Sequence, residues 1–296
     1  MRSALVFGPV FATIVGIGLF SAMDAVMKGA ALAVGAYSAV LLRNLVGTLL
    51  MLPWWLWTGR RMPGPAAWRV HLKRSAVVAV MAVAFFFSLT RLPLAEAIAL
   101  SFIAPLIALY LAALLLGETI ERKAVVGALL SFAGVAAIIG SKLGQEAPSA
   151  DMAVGLAALL FSALLYAWNL VIQREQALIA GPGEVALFQS ALVALVLSPA
   201  APLLWRTPGG ETVALIAVGA VLAVLALLCL TWAYARAEAQ VLVPVEYTGF
   251  LWAALFGWIM FAEPLTAGLV GGALLIVAGC WIATRKRPAP PEQSVL

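Results

Sequence analysis

The feature that most constrains this sequence is a series of apolar runs of about 20 residues, separated by short polar segments. A helix of about 20 residues is long enough to cross the roughly 30 Å hydrocarbon core of a bilayer. Only 10% of the residues are charged, whereas a soluble domain has about 25%, so a soluble core is excluded. We therefore predict an all-α membrane protein with ten transmembrane helices, near residues 6–27, 33–53, 75–90, 94–116, 124–141, 152–173, 184–204, 212–234, 239–262 and 265–284.

The Lys and Arg residues lie almost entirely between the apolar runs, and they are distributed unequally between the two sides. Because cytoplasmic loops carry an excess of Lys and Arg, we predict a multi-pass protein of a bacterial inner membrane with both termini cytoplasmic. This orientation accounts for the net charge of +5, so nucleic acid is not predicted as a partner. The 13 predicted cytoplasmic residues are Arg2, Arg60, Arg61, Arg69, Lys73, Arg74, Arg122, Lys123, Arg174, Arg236, Arg285, Lys286 and Arg287; the 4 predicted outer ones are Lys28, Arg91, Lys142 and Arg206.

The second half of the chain repeats the first. Residues 104–118 correspond to 249–263 at an offset of 145 (249 minus 104), and the glycines that follow keep the same offset. Each half contains five predicted helices, an odd number, so the second half must cross the membrane in the inverted orientation. We predict a first five-helix repeat at 1–146, a second at 147–287 and a disordered cytoplasmic tail at 288–296.

Two copies of one helix carry a resemblance to a known family. The copies end in Glu118 and Glu263, and each is followed by a glycine-rich helix. With these motifs the sequence resembles the EamA type of the drug/metabolite transporter superfamily over about residues 6–284. The resemblance implies a ten-helix carrier made of two inverted repeats.

A shorter pattern lies in the first two helices, where Met23-Asp24 and Lys28 precede Arg43. It is similar to the pattern in superfamily members that take up S-adenosylmethionine or riboflavin, whereas other members export amino acids. Arg43 lies within a span, where an ionisable group costs about 2.5–3.5 kcal/mol and so indicates function. Two interpretations are open for Arg43: it binds a substrate carboxylate or phosphate, or it forms an ion pair with Asp24. Asp24 in turn pairs with Lys28 at i,i+4 or faces a cavity as a proton site.

The sixth helix has a polar stripe. Ser162, Tyr166, Asn169 and Gln173 recur at i, i+4, i+7 and i+11, so all four side chains lie on one face. Such a stripe would be costly against lipid, so it faces either a cavity or neighbouring helices to which it hydrogen bonds.

Helices four and nine each contain an internal proline, Pro105 and Pro244. Each proline frees the backbone carbonyl four residues earlier, which belongs to Ser101 or Gln240. Paired interruptions in corresponding helices of a transporter point toward its binding site.

The segment after Pro244 contains Glu246, followed by Tyr247 and Trp252. A carboxylate with aromatic neighbours within a span suits a cationic substrate or a proton-coupled step. Glu118 and Glu263, in contrast, are interpreted as groups that end or cap their helices.

Catalytic and metal chemistry is not predicted. His71 is the single histidine and is interpreted as a solvated residue of a basic loop, while Cys229 and Cys280 lie within apolar runs. No phosphate-binding motif of the G-x-x-x-x-G-K-[ST] type occurs in the sequence, so energy must come from an ion gradient or from exchange. We predict no enzyme activity, no cofactor and no bound metal.

The sequence thus predicts a secondary-active transporter of a small organic metabolite, resembling an amino acid, S-adenosylmethionine or riboflavin, that works by alternating access with a coupling proton or an exchanged metabolite. The alternatives are an exporter of amino acids or drugs, and a membrane scaffold or channel subunit that does not transport. The predicted substrate-binding residues are Arg43, Asp24, Ser101, Tyr166, Asn169, Glu246, Tyr247 and Trp252.

Overall fold

The computed structural model describes residues 2–58, 62–104, 107, 122–143, 149–237, 242 and 245–284. These residues form helices and connecting turns, with no β-strand among them. Among these residues, a helix lies in each predicted span: α1 (Arg2–Val34), α2 (Ala36–Trp57), α3 (Pro65–Leu89), α4 (Leu94–Ser101), α5 (Arg122–Leu143), α6 (Ala150–Ile179), α7 (Pro182–Leu197), α8 (Gly210–Tyr234), α9 (Gly249–Phe261) and α10 (Ala267–Thr284). A 3-10 turn (Ser198–Ala200) and a last helical turn (Ala201–Leu204) extend α7.

The surface of this helical assembly is apolar, and polar side chains lie inside it. Leu49 and Leu129 are 67% and 65% exposed, whereas Ser21 and Asn44 are buried. This distribution is expected where lipid is the solvent. Among the described residues, six helices are long and apolar enough to cross a membrane by length and composition: α1, α2, α3, α6, α7 with its extension, and α8.

The helix ends follow local sequence signals. Gly35 alone separates α1 from α2 and has a φ of 82°, in the left-handed region that a side chain disfavours. Pro65 and Pro182 begin α3 and α7, where the missing N–H is not needed. Ser149 caps α6, because its Oγ accepts a hydrogen bond from the backbone N–H of Met152 at 3.1 Å.

The helix pairing repeats between the two halves. The most extensive contacts join α5 with α10, α1 with α8, α3 with α6, and α2 with α7. Moving each helix by five positions exchanges the α1–α8 pair with the α6–α3 pair and leaves α2–α7 and α5–α10 unchanged. This is the pairing expected of two repeats related by a pseudo-two-fold axis.

Glycines allow the backbones of α5 and α10 to approach each other closely. A Cβ atom added to Gly134 would lie 2.5 Å from the backbone oxygen of Gly272, and one added to Gly272 would lie 2.6 Å from the oxygen of Gly134. Small residues at such crossings let two membrane helices approach closely. The glycine-rich helices that mark the repeat in the sequence therefore hold its two copies together.

We expect Gly134→Ala to lower the melting temperature of the purified protein, because the added methyl group must push α5 away from α10. Overpacking of this kind costs about 1–3 kcal/mol. Gly140→Ala on the same helix is the matched control, since a Cβ atom there would meet nothing within 4 Å. Equal melting temperatures for the two variants would contradict the close contact.

One helix begins earlier than predicted. The sequence pattern places a basic loop at 58–74, but α3 starts at Pro65, so His71 and Arg74 are helical. His71 is 0% exposed and Arg74 is 4% exposed. The interpretation of His71 as a solvated loop residue is therefore wrong: the charges interrupt the apolar run in the sequence, but in the fold these two side chains meet polar groups on α6 and α7.

Some residues used in the sequence interpretation lie outside the described residues. These are Pro105, Glu118, Gln240, Pro244 and the segment 288–296.

Candidate functional site

A cavity of about 280 Å³ lies at the centre of the assembly, between the two halves of the chain. Its walls come from α1 to α4, from α6 to α8 and from the segment that leads into α9. Most of the lining is apolar, as is usual for a small-molecule site. The polar and charged lining residues are Ser21, Asp24, Arg43, Asn44, Arg74, Ser101, Ser162, Tyr166, Asn169, Gln173, Gln189, Ser190, Glu246 and Tyr247.

The cavity brings together seven of the eight residues predicted to bind substrate. Trp252 is the exception: its indole ring lies beside Gly18 of α1 and stacks on Phe256, at 6.4 Å between ring centroids. The seven that line the cavity are Asp24, Arg43, Ser101, Tyr166, Asn169, Glu246 and Tyr247.

Asp24 and Arg43 share the cavity without forming a direct ion pair. The Arg43 Nη1 donates to the Met23 sulfur at 3.2 Å, and its guanidinium lies 5.5 Å from the centre of the Phe86 ring. No oxygen of Asp24 is within 4.0 Å of a guanidinium nitrogen, although the two groups are near enough to attract each other electrostatically. Both side chains therefore face the cavity and are not locked together.

Lys28 forms its ion pair with Glu263 of the second half. The predicted i,i+4 ion pair between Asp24 and Lys28 is therefore wrong. The Lys28 Nζ also donates to the backbone oxygen of Leu92 at 2.9 Å. The other oxygen of Glu263 accepts from the backbone N–H of Leu94 at 2.7 Å, at the start of α4. Glu263 does act as a cap, but for a helix in the other half. We call these four residues the Lys28 cluster.

The polar stripe on α6 both faces the cavity and hydrogen bonds to neighbouring helices, so both interpretations of it hold. All four of its side chains line the cavity, and they also bond to other helices. Ser162 donates to the backbone oxygen of Met81 at 3.0 Å. Asn169 and Gln173 accept from Arg74 at 3.0 and 2.9 Å. The stripe is therefore held in place by its contacts and presented to the cavity.

Glu246 is held by two tyrosine hydroxyls. Tyr234 of α8 donates to one carboxylate oxygen, and Tyr166 of α6 donates to the other at 3.5 Å. No basic nitrogen of a described residue is within 4.0 Å of Glu246. The carboxylate therefore has hydrogen-bond donors but no cation beside it.

A second polar network, which the sequence interpretation missed, joins α3, α6 and α7. The Arg74 Nη1 donates to Gln176, and the Gln176 Nε2 lies 2.6 Å from His71 Nδ1. The other ring nitrogen of His71 lies 3.0 Å from a carboxylate oxygen of Glu184. Gln176 continues the α6 stripe at i+14, which is the signal that could have revealed it. The Arg74 network comprises His71, Arg74, Asn169, Gln173, Gln176 and Glu184.

Within the described part of the chain, no group of three or more His, Cys, Asp or Glu side chains is arranged to hold a metal ion.

Comparison with known sequences assigns the family. Residues 7–140 and 153–285 each match the family described as the EamA-like transporter family. The chain belongs to this family. Because both halves match it, the predicted resemblance and the predicted all-α membrane fold of ten helices in two inverted repeats are confirmed. This EamA-like protein is a multi-pass membrane transporter.

Three relatives with named functions are transporters. The pseudopaline exporter CntI of Pseudomonas aeruginosa is 30% identical over 277 residues, which cover 90% of this chain and 93% of the relative. The S-adenosylmethionine uptake transporter of Rickettsia felis is 26% identical, with 93% and 94% covered. The riboflavin transporter of Brucella anthropi is 26% identical, with 79% and 82% covered.

A solved crystal structure shares the fold. It superposes with a TM-score of 0.65 at 22% sequence identity and covers 96% of this chain and 97% of its own. At this identity the likeness concerns the arrangement of helices alone.

Proposed function

We propose that this EamA-like transporter is a secondary carrier that moves a small organic metabolite through the central cavity by alternating access. The observation that carries the proposal is the cavity itself, which lies between the halves and gathers seven residues predicted to bind substrate. Binding sites of transporters with inverted repeats lie at the repeat interface.

The two polar clusters are suited to act as gates. The Lys28 cluster joins α1 and the start of α4 to Glu263 of the second half. The Arg74 network joins α3 of the first half to α6 and α7 of the second. Because both clusters cross between the halves, a movement of one half against the other must break one or the other. We infer that the two clusters open in alternation.

The substrate is proposed to resemble an amino acid, S-adenosylmethionine or riboflavin. The cavity supports this class, since its apolar walls carry a small number of charged and hydrogen-bonding groups. Relatives include an exporter and uptake transporters, so the sequence similarity is compatible with both export and uptake of the substrate. A coupling proton or an exchanged metabolite would supply the driving force, and no catalytic activity is proposed.

Transport assays with the purified protein in liposomes test this function. A carrier should exchange labelled for unlabelled metabolite faster than it releases metabolite into medium without metabolite. The reason is that a carrier with bound substrate changes between its two conformations more readily than an empty carrier. A channel subunit would show no such acceleration, and a scaffold would move nothing.

We further propose the inner membrane as the location, with both termini cytoplasmic and repeats at 1–146 and 147–287. Reporter fusions after Lys142 should then be external and fusions after Arg287 internal, because 13 of the 18 basic residues would lie inside. A reporter after Lys142 and one after Arg287 on the same side of the membrane would contradict the inverted orientation.

A further inference from the structure

Arg74 is buried and lines the cavity, and its hydrogen-bond partners among the described residues are all neutral. Its Nε donates to the side-chain oxygen of Asn169 at 3.0 Å and its Nη2 to that of Gln173 at 2.9 Å, while Nη1 donates to Gln176. A guanidinium has five N–H donors in a planar fork. No described residue accepts from the two other donors, one on each terminal nitrogen.

Two acidic and two basic side chains among the described residues line the cavity: Asp24, Arg43, Arg74 and Glu246. The Arg43 guanidinium donates to the Met23 sulfur and lies 5.5 Å from the centre of the Phe86 ring, so no amide oxygen of a described residue orients it. Arg74 has no carboxylate oxygen of a described residue within 4.0 Å. A buried charge is stable only if it is paired or well hydrogen bonded, and at Arg74 the amide oxygens supply hydrogen bonds but no opposite charge.

We propose that Arg74 binds an anionic group of the substrate, a carboxylate or a phosphate, through these two remaining N–H donors. The substrate is then an organic anion or a zwitterion. The proposal rests on the proposed function and deepens it, because it assigns the anion to Arg74 of α3, whose guanidinium is oriented by three amide side chains, and not to Arg43. The three amide side chains fix the plane of the guanidinium before substrate enters, so little entropy is lost on binding.

Tyr166 places this anion site next to Glu246. It lies one helical turn from Asn169, which bonds Arg74, and its hydroxyl donates to Glu246 at 3.5 Å. A substrate anion on Arg74 and a proton or cationic group on Glu246 would therefore be neighbours, and each would favour the binding of the other electrostatically.

The test uses liposomes that contain the purified full-length transporter and are loaded with a small-molecule extract of bacterial cells. The extract is supplemented with matched pairs that differ in charge: amino acids with their primary amides, and riboflavin with its 5′-phosphate. Release of each compound is measured by mass spectrometry for the unsubstituted protein, Arg74→Gln, Arg74→Lys and Arg69→Gln. Arg69 is the matched control, since it lies on the same helix but is exposed.

We expect the unsubstituted protein to release compounds that carry a carboxylate or phosphate in preference to the partners that lack this anionic group. Charge-assisted hydrogen bonds of this kind correspond to a preference of about 10- to 100-fold. Arg74→Gln should lose that preference. Arg74→Lys should still prefer compounds with a carboxylate or phosphate, but by a smaller factor, and Arg69→Gln should show the same preference as the unsubstituted protein. Because the preference is a ratio measured on folded protein, a loss of stability in one variant does not imitate the effect.

An unsubstituted protein that prefers the partners without a carboxylate or phosphate, or an Arg74→Gln variant that keeps the preference for these groups, would overturn the assignment while leaving the carrier function in place. Release of no compound at all by the unsubstituted protein would overturn the carrier function itself.

Discussion

Replacing Glu246 by Gln should abolish accumulation of substrate driven by a pH gradient while leaving substrate exchange across the membrane intact. Glu246 lines the cavity between two tyrosine hydroxyl donors, and no basic nitrogen of a described residue is within 4.0 Å of its carboxylate. A proton taken up there would neutralise a buried charge, whereas the Gln side chain mimics the protonated form and cannot release a proton. Exchange of one substrate molecule for another needs no net proton movement.

The measurement is uptake into liposomes with and without a pH gradient, compared with exchange and with thermal stability. Glu175→Gln is the matched control, because Glu175 lies on α6 but is exposed. A parallel loss of uptake and exchange would indicate that Glu246 binds a cationic group of the substrate. A lowered melting temperature with normal specific activity would indicate a structural role. Unchanged behaviour in every assay would place the coupling site elsewhere.

Breaking the Lys28–Glu263 pair should destabilise the protein strongly. The two side chains are only 8% and 11% exposed, and Lys28→Met or Glu263→Gln leaves the other buried charge without its partner. Removal of one member of a buried ion pair costs about 3–5 kcal/mol. The double variant should be more stable than the Lys28→Met single variant, since no charge is then left alone.

Thermal unfolding of the four proteins in detergent measures this coupling. The exposed pair Arg91–Asp151 is the control, because it also joins the two halves, at 2.8 Å, but the Asp151 side chain is 70% exposed. Asp151→Asn should change stability by at most about 1 kcal/mol. Additive effects of Lys28→Met and Glu263→Gln would contradict the pairing.

The fold followed from the sequence because its determinants are local or periodic. A span of about 20 apolar residues specifies a membrane helix on its own, and the offset between the halves requires inversion once each half contains five helices. The glycines that mark the repeat, such as Gly134 and Gly272, are also those at which α5 and α10 meet.

The polar face of α6 was predictable for the same reason. Ser162, Tyr166, Asn169 and Gln173 form a periodic pattern on a helix that is otherwise apolar, so they cannot face lipid. The pattern did not reveal which side chain these amide groups bind. Arg74 occurs in a cluster of basic residues that interrupts the apolar run, and only the fold brings the amide groups of α6 to it.

Two other differences between the sequence interpretation and the fold have simple geometric causes. Lys28 is four residues from Asp24, but the carboxylate of Glu263, 235 positions away in sequence, reaches it instead. Trp252 lies on α9, which begins at Gly249, whereas Tyr247 lies in the turn before that helix, so the two side chains do not share one helical face. Tyr247 therefore lines the cavity while Trp252 lies against α1.

Alternating access requires that the cavity opens to the two sides of the membrane in turn. Its most direct test is the reactivity of Ser101→Cys, a cavity position, in a protein whose native Cys229 and Cys280 are replaced by Ser. A membrane-impermeant thiol reagent is added from one side and then from the other, with and without Lys28→Met. We predict that the thiol reacts from the cytoplasmic side when the Lys28 cluster is intact, and that reactivity moves to the outer side when Lys28→Met breaks it. Reaction from a single side under both conditions, in protein that still transports, would contradict alternating access through this cavity.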